Sequence, residues 1–244
     1  MAGSRREAGV RAAFITLSSL NAALYAVVGY FTYLGIFAPI VGVVRFWPPV
    51  VIPAAFAVAF GPLVGAVGAA IGIFISDMLI HGNALLSLSV GVPANFVCFY
   101  LIGYLSRLKA KRAVPASIGV QLFPIAAVII LLQAALLDFE AALILGGACI
   151  VALALSFIVS IAAEKWRSYI FAASAGLLVG SLIVGFGVWF FSQFFLLPTG
   201  AQNLPLTAAI IWFIWTYSTE IPFLVALAPP LIWALKQAGW RYTG

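Results

Sequence analysis

Long apolar runs, separated by short segments that carry nearly all of the charge, set the strongest limit on how this chain can fold. Of its 244 residues, 65% are hydrophobic and 7% are charged, whereas a soluble globular domain carries roughly 25% charged residues. So few polar side chains cannot cover a protein of this size in water, but a lipid-facing surface removes that requirement. The runs do not alternate in hydrophobicity as barrel strands would. The sequence therefore predicts an all-α polytopic membrane protein.

The apolar runs predict about eight membrane-spanning helices, since one span needs about 20 mostly apolar residues. In chain order they cover residues 11–37, 50–60, 63–80, 85–105, 114–137, 139–163, 168–195 and 206–235. The second is short and contains Pro53, and Pro222, Pro229 and Pro230 are expected to kink or break the eighth. Six or seven spans with re-entrant pieces are the alternative. No internal repeat of fixed period is evident, so residues 1–244 are interpreted as one domain.

The lysines and arginines predict how the bundle is oriented. If the N-terminus is cytoplasmic, successive loops alternate between the two sides, and eleven of the twelve basic residues then face the cytoplasm. These eleven are Arg5, Arg6, Arg11, Arg107, Lys109, Lys111, Arg112, Lys165, Arg167, Lys236 and Arg241. Arg45, in the first outer loop, is the exception. We therefore expect a multi-pass protein of the plasma membrane with both termini inside and the first helix retained.

Polar and charged side chains within or beside the apolar runs are candidate binding residues, because a charge is costly to place in a bilayer. Seven of them are candidate substrate-binding residues, most of which can converge on the outer half of the bundle: Arg45, Trp47, Asp77, His81, Asn83, Asn95 and Glu220. Structural alternatives exist for several. Arg45 can reach the headgroups or pair with Asp77, and Asn95 can bond between helices. Glu220 is the hardest to explain structurally, since it is deep and has no basic neighbour in sequence.

Small residues four apart mark faces where membrane helices approach closely. Ser18, Ala22 and Ala26 form such a stripe on the first helix, which also begins with a basic cytoplasmic segment. The stripe has two interpretations, packing within the bundle or a docking face for a partner membrane protein.

Motifs for self-powered transport and for common catalysis are missing from the sequence. It contains one histidine and no HExxH, GxxxxGK[ST] or GxSxG pattern. Cys98 and Cys149 lack metal-site spacing and are interpreted as small buried apolar residues. The basic residues report orientation and not nucleic-acid binding. We therefore expect a protein that binds and passes a small molecule, with no enzymatic activity, metal or cofactor.

Three segments together resemble the substrate-binding S component of energy-coupling-factor (ECF) transporters. They are SLNAALYAVVG at 19–29, VRFWPPVVIP at 44–53, and FGPLVGAVG at 60–68, which continues to Ser76 and Asp77. The resemblance covers about residues 10–105, whereas the helices within 114–235 lie outside it. That family usually has six spans, and the two extra ones predicted here are interpreted as an insertion around the fifth to seventh helices.

The resemblance implies capture of a vitamin or similar micronutrient from outside the cell. It further implies delivery by docking onto a coupling transmembrane protein driven by two cytoplasmic ATPase subunits. Small residues on the first helix form the docking face in that family, which would give Ser18, Ala22 and Ala26 this role. In that family the first outer loop commonly covers the substrate, which would give Arg45 and Trp47 a role in binding. Arg45 would suit an anionic group on the substrate, and Trp47 would suit a flat group that can stack on it.

Two other functions fit the same residues. A stand-alone secondary transporter or channel would use Glu220 and Asp77 to carry a proton or cation. A membrane-embedded lipid enzyme or assembly factor would use the polar cluster near the outer interface.

Overall fold

The computed structural model describes residues 2–33, 40–41, 44–108 and 112–237, with only the backbone for 2–6, 40–41 and 44–45. The described residues form eight helices: α1 (Ala2–Phe31), α2 (Val51–Phe60), α3 (Pro62–Ile80), α4 (Ala84–Leu105), α5 (Ala113–Gln133), α6 (Phe139–Ala162), α7 (Arg167–Phe194) and α8 (Leu206–Gln237). Short 3-10 turns lead into α2 and α7, at Pro48–Val50 and Glu164–Trp166. Two strands, β1 (Ile40–Val41) and β2 (Val44–Arg45), pair antiparallel before α2.

Seven of the described helices are long and apolar enough to cross a membrane. The eighth, α2 with its leading turn, covers only Pro48–Phe60. At 1.5 Å per residue this segment is too short for a bilayer core of about 30 Å. The polytopic α-helical architecture predicted from the sequence is confirmed, and its short second helix corresponds to the seven-span alternative.

Two helix boundaries differ from the sequence prediction for local reasons. Helix α1 begins at Ala2 and not at residue 11, since the preceding segment is rich in good helix formers such as alanine, arginine and glutamate. Helix α5 ends at Gln133, four residues early, and Ala135 in the following turn has a left-handed φ of 54°. A residue in that conformation commonly follows a helix C-terminus.

The prolines do not break α8, which is continuous from Leu206 to Gln237. Each proline removes one backbone donor, and a membrane helix tolerates this where neighbouring helices supply other partners. The Tyr169 hydroxyl of α7 also donates to the Leu224 carbonyl at 2.9 Å and so joins α7 to α8 between the first proline and the other two.

Six of the eight helices make one bundle, and the other two form a hairpin on its side. Helix α1 packs on α3, α3 on α4, α4 on α7 and α7 on α8, while α2 contacts α1, α3, α4 and α8. Helices α5 and α6 pack on each other and on α7 and α8. Only 28% of the most apolar stretch of each hairpin helix is buried, against 56% for α8. The hairpin is therefore peripheral.

Contacts between helix ends place the basic segments at one end of the bundle. Leu17 of α1, Phe60 of α2, Val64 of α3 and Leu235 of α8 belong to one apolar cluster. A Cβ added at Gly61, in the α2–α3 turn, would lie 3.2 Å from the Arg107 guanidinium that follows α4. The N-terminal half of α1, the end of α4 and the end of α8 therefore share one side, which the basic residues mark as cytoplasmic.

This topology predicts opposite labelling of two exposed positions. In a variant lacking Cys98 and Cys149, we expect a membrane-impermeant maleimide applied to intact cells to modify Thr199→Cys, in the loop after α7. The same reagent should leave Leu108→Cys, after α4, unmodified until the membrane is permeabilised. Labelling of Leu108→Cys in intact cells would contradict the orientation.

Candidate binding site

A cavity of about 110 Å³ lies between α1, α3, α4, α7 and α8, with the entrance to α2 as one wall. One water molecule needs about 10–15 Å³ on the same measure, so the space suits several waters or a compact organic molecule. It extends from His81 and Val188, at the end away from the basic segments, to Cys98 and Leu177 near the middle of the bundle. Among the described residues, α5 and α6 contribute nothing to its lining.

The structure brings five of the seven predicted site residues to this cavity. They come from four separate parts of the chain and are Trp47, Asp77, His81, Asn95 and Glu220. Their shared location is a finding about geometry, since the sequence spacing alone does not bring residues 47 and 220 together.

Asp77 is held in place from three directions in the last turn of α3. Its Oδ2 accepts a hydrogen bond from the Ser87 hydroxyl at 2.6 Å, and its Oδ1 lies 3.5 Å from His81 Nε2. A Cβ added at Gly91 would come within 2.8 Å of Oδ2, so only glycine allows this approach. Ser87 and Gly91 delimit a π-helical turn of α4, an irregularity often found at functional sites. The wide turn directs both residues toward the carboxylate.

His81 is oriented by the turn between α3 and α4. The backbone N–H of Asn83 donates to His81 Nδ1 at 3.1 Å. Nδ1 is therefore the acceptor nitrogen, and the other ring nitrogen faces Asp77 and can donate to it.

Asn83 corrects the sequence prediction, because its side chain serves the backbone. It is the N-cap of α4, and its Oδ1 accepts from the Leu86 N–H at 3.0 Å. Asparagine is a preferred N-cap because it satisfies a donor that the helix leaves unpaired. It is not among the described residues that line the cavity.

Asn95 joins α4 to α1 while it lines the cavity. The Tyr25 hydroxyl donates to Asn95 Oδ1 at 2.7 Å, and Asn95 Nδ2 donates to the Gly91 carbonyl at 2.9 Å. The predicted role of a hydrogen bond between helices is therefore present, and the same amide forms part of the wall.

An aromatic wall stands beside this amide. The Tyr25 ring meets Trp47 and Phe99 edge to face, with each pair of centroids 6.0 Å apart. Trp47, only 4% exposed, directly precedes the turn into α2 and packs against Gly29 of α1. The side chain of Arg45 lies outside the described residues, and so does its predicted pairing with Asp77.

Glu220 lies within α8 and is 7% exposed. Thr216, one turn earlier, lines the cavity on the same face and donates its hydroxyl to the Trp212 carbonyl at 2.9 Å. Two acidic residues, Asp77 and Glu220, therefore line one cavity from α3 and α8.

The predicted docking stripe on α1 is buried inside the chain, which corrects its interpretation as an accessible face. Ser18, Ala22 and Ala26 are each only 3–4% exposed. A Cβ added at Gly72 of α3 would come within 2.8 Å of the Ala22 carbonyl oxygen. Spacing of four marked a close helix contact correctly, but the partner is α3 of the same chain.

Sequence reasoning missed several residues of the cavity, of which Ser181 on α7 is the most polar. It is fully buried and lies in a run of apolar residues without a charge nearby. Its only signal in the sequence is a hydroxyl in the middle of a membrane helix. Within the described part of the chain, no three His, Cys, Asp or Glu side chains are grouped to hold a metal ion.

Comparison of the chain with protein-family models, with curated proteins and with solved structures gave no match. The cavity is therefore the feature of this chain that bears on its function.

The tyrosine in the cavity wall gives a stability prediction. We expect Tyr25→Phe to lower the free energy of unfolding by about 1 kcal/mol, since the half-buried Asn95 carbonyl loses its hydroxyl donor. Tyr104→Phe, on the exposed face of the same bundle, is the matched control and should change stability little. Thermal unfolding of the two variants in one detergent measures the difference, and equal midpoints would contradict the role of this hydrogen bond.

Proposed function

We propose that this chain is the substrate-capturing membrane subunit of an ECF-type uptake transporter for a vitamin or similar micronutrient. The observation that carries the proposal is a partly open cavity in the half of the helical bundle away from the basic segments. Its lining combines aromatic rings from Tyr25, Trp47 and Phe99 with carboxylates from Asp77 and Glu220. Small-molecule sites typically combine an apolar lining with a few placed polar groups.

The division of the bundle supports the same proposal. The cavity is built by five helices, α1, α3, α4, α7 and α8, and by Trp47, which directly precedes the turn into α2. The resemblance implies a six-span fold; without the peripheral hairpin of α5 and α6, the described residues keep six helices, five long enough to span a membrane and the short α2. This interpretation also places Glu220 on the last helix of the six-helix unit.

The source of energy is part of the proposal. The sequence has no P-loop for ATP, so an ATP-driven cycle requires partner subunits. We assign that role to a coupling transmembrane protein with two cytoplasmic ATPase subunits, with this chain in the plasma membrane. The chain itself is assigned binding and passage and not catalysis. Because Ser18, Ala22 and Ala26 are buried, a docking surface on α1 would use its outward residues, such as Leu20 and Leu24.

Co-purification tests the proposal directly. Tagged protein isolated from its native host in mild detergent should retain one further membrane protein and two ATPase subunits in stable proportion. An unrelated tagged multi-pass protein from the same membranes is the control. If the ATPases never accompany the tagged chain, or accompany the control equally, the proposal is wrong.

The two buried carboxylates favour one alternative, a stand-alone secondary transporter. Intramembrane carboxylates commonly carry protons or cations in such proteins. In that case purified protein in ATP-free liposomes should take up solute under a proton or cation gradient.

For this alternative we expect Glu220→Gln to abolish gradient-driven uptake, because the amide cannot exchange a proton at neutral pH. Glu140→Gln, an exposed carboxylate in the first turn of α6, is the matched control and should retain uptake. Uptake measured with a radiolabelled vitamin mixture distinguishes the two. Absence of uptake under any gradient would exclude the alternative and leave the ATP-driven proposal intact.

A further inference from the structure

The Ser181 hydroxyl differs from the other polar groups of the cavity wall. It is fully buried, it lines the cavity, and among the described residues its Oγ has no hydrogen-bond partner. A buried hydroxyl left unpaired costs about 1–3 kcal/mol, so such groups are uncommon unless something else satisfies them.

Other hydroxyls on α7 and α8 donate to a backbone carbonyl one turn earlier, whereas the Ser181 hydroxyl does not. Ser174 on the same helix donates to the Ile170 carbonyl at 2.9 Å, and Thr219 on α8 donates to Trp215 at 2.7 Å. A serine within a helix commonly bonds back to the preceding turn in this way. Ser174 and Ser181 are seven residues apart, and both are fully buried. They therefore share a face of α7, but only Ser181 reaches the cavity.

The rest of the α7 wall is apolar. Leu177, Val184 and Val188 line the cavity above and below Ser181, with the Gly180 backbone beside it. A molecule in the cavity therefore meets a single hydrogen-bonding side chain on this helix.

We infer that Ser181 is the hydrogen-bonding contact of the α7 wall, and that it fixes the orientation of a compact polar organic ligand. The inference rests on the proposed capture function and deepens it. The ligand carries a hydroxyl, carbonyl or amine group where it faces α7, beside an edge apolar enough for Leu177 and Val184. The aromatic side of the cavity, at Trp47 and Tyr25, receives the opposite edge of the same molecule.

Cysteine accessibility tests the placement without knowledge of the ligand. The chain has only two cysteines, and a variant with Cys98→Ala and Cys149→Ala provides the background. Ser181→Cys and the matched control Ser174→Cys are treated from outside with 2-aminoethyl methanethiosulfonate, a small thiol reagent. We expect Ser181→Cys to be modified and Ser174→Cys to stay unmodified. Equal reaction at both positions, or reaction at 174 alone, would overturn the inference.

A second arm tests occupancy. A low-molecular-mass filtrate of the host's growth medium, added before the reagent, should slow modification at 181 and leave Thr199→Cys unchanged. If the filtrate leaves the rate at 181 unchanged, Ser181 is not a ligand contact. Should Ser181→Cys fail to elute as a single folded species, Val184→Cys takes its place, since it lines the same wall.

The arms separate this inference from the proposed function. Neither arm requires a partner subunit, so missing ATPases would refute the ECF-type assignment while protection at 181 still supported the contact. Conversely, co-purifying ATPases with an unreactive residue 181 would support the assignment and refute the contact.

Discussion

The structure depends on backbones that approach closely at glycines, because lipid offers no hydrophobic drive for one apolar helix to join another. Gly72 of α3 lies against the Ala22 carbonyl of α1, and Gly176 of α7 lies against the Cys98 carbonyl of α4; an added Cβ would come within 2.8 Å at either place. Dispersion contacts over such short separations supply the attraction that water would otherwise provide. The bundle is therefore tightest where its residues are smallest.

The cavity lies where the close helix contacts at glycines give way to larger side chains. On the side of the cavity nearer the basic segments, Gly72 brings α3 onto α1 and Gly176 brings α7 onto α4, and Gly180 continues the second contact to the cavity wall. Toward the outer end, larger side chains line the walls and the helices enclose space. Gly187 against Val90 closes α7 onto α4 again near that end, where a Cβ would lie 2.8 Å from the valine. Polar groups in between can therefore be both enclosed and reachable by a small molecule.

Much of the fold was predictable because span length and basic residues are read from local sequence. The helices and their approximate bounds follow from the apolar runs, although the second is too short to span a membrane, and the basic residues predict which end of the bundle is cytoplasmic. The roles of individual polar and small side chains were less predictable, because each depends on which residue the fold places beside it. Asn83 has the residue type of a ligand contact but caps a helix, and the spacing of Ser18, Ala22 and Ala26 marks contact without naming the partner. Ser181 was missed because a lone serine in an apolar helix usually bonds to its own backbone.

The hairpin of α5 and α6 shows why a cavity can persist when helices are added. Gln121 and Ser156 bond to each other across the hairpin, with Gln121 Nε2 donating to the serine hydroxyl at 3.0 Å. These two side chains are thus satisfied inside the hairpin, while at its end the Arg167 guanidinium of α7 donates to the Ser160 carbonyl of α6 at 2.8 Å. Its outward residues, such as Ile130 and Ile144, are mostly exposed, as a lipid-facing surface requires. A hairpin that packs on the side of the bundle and faces lipid adds two helices without contributing, among the described residues, to the walls of the cavity.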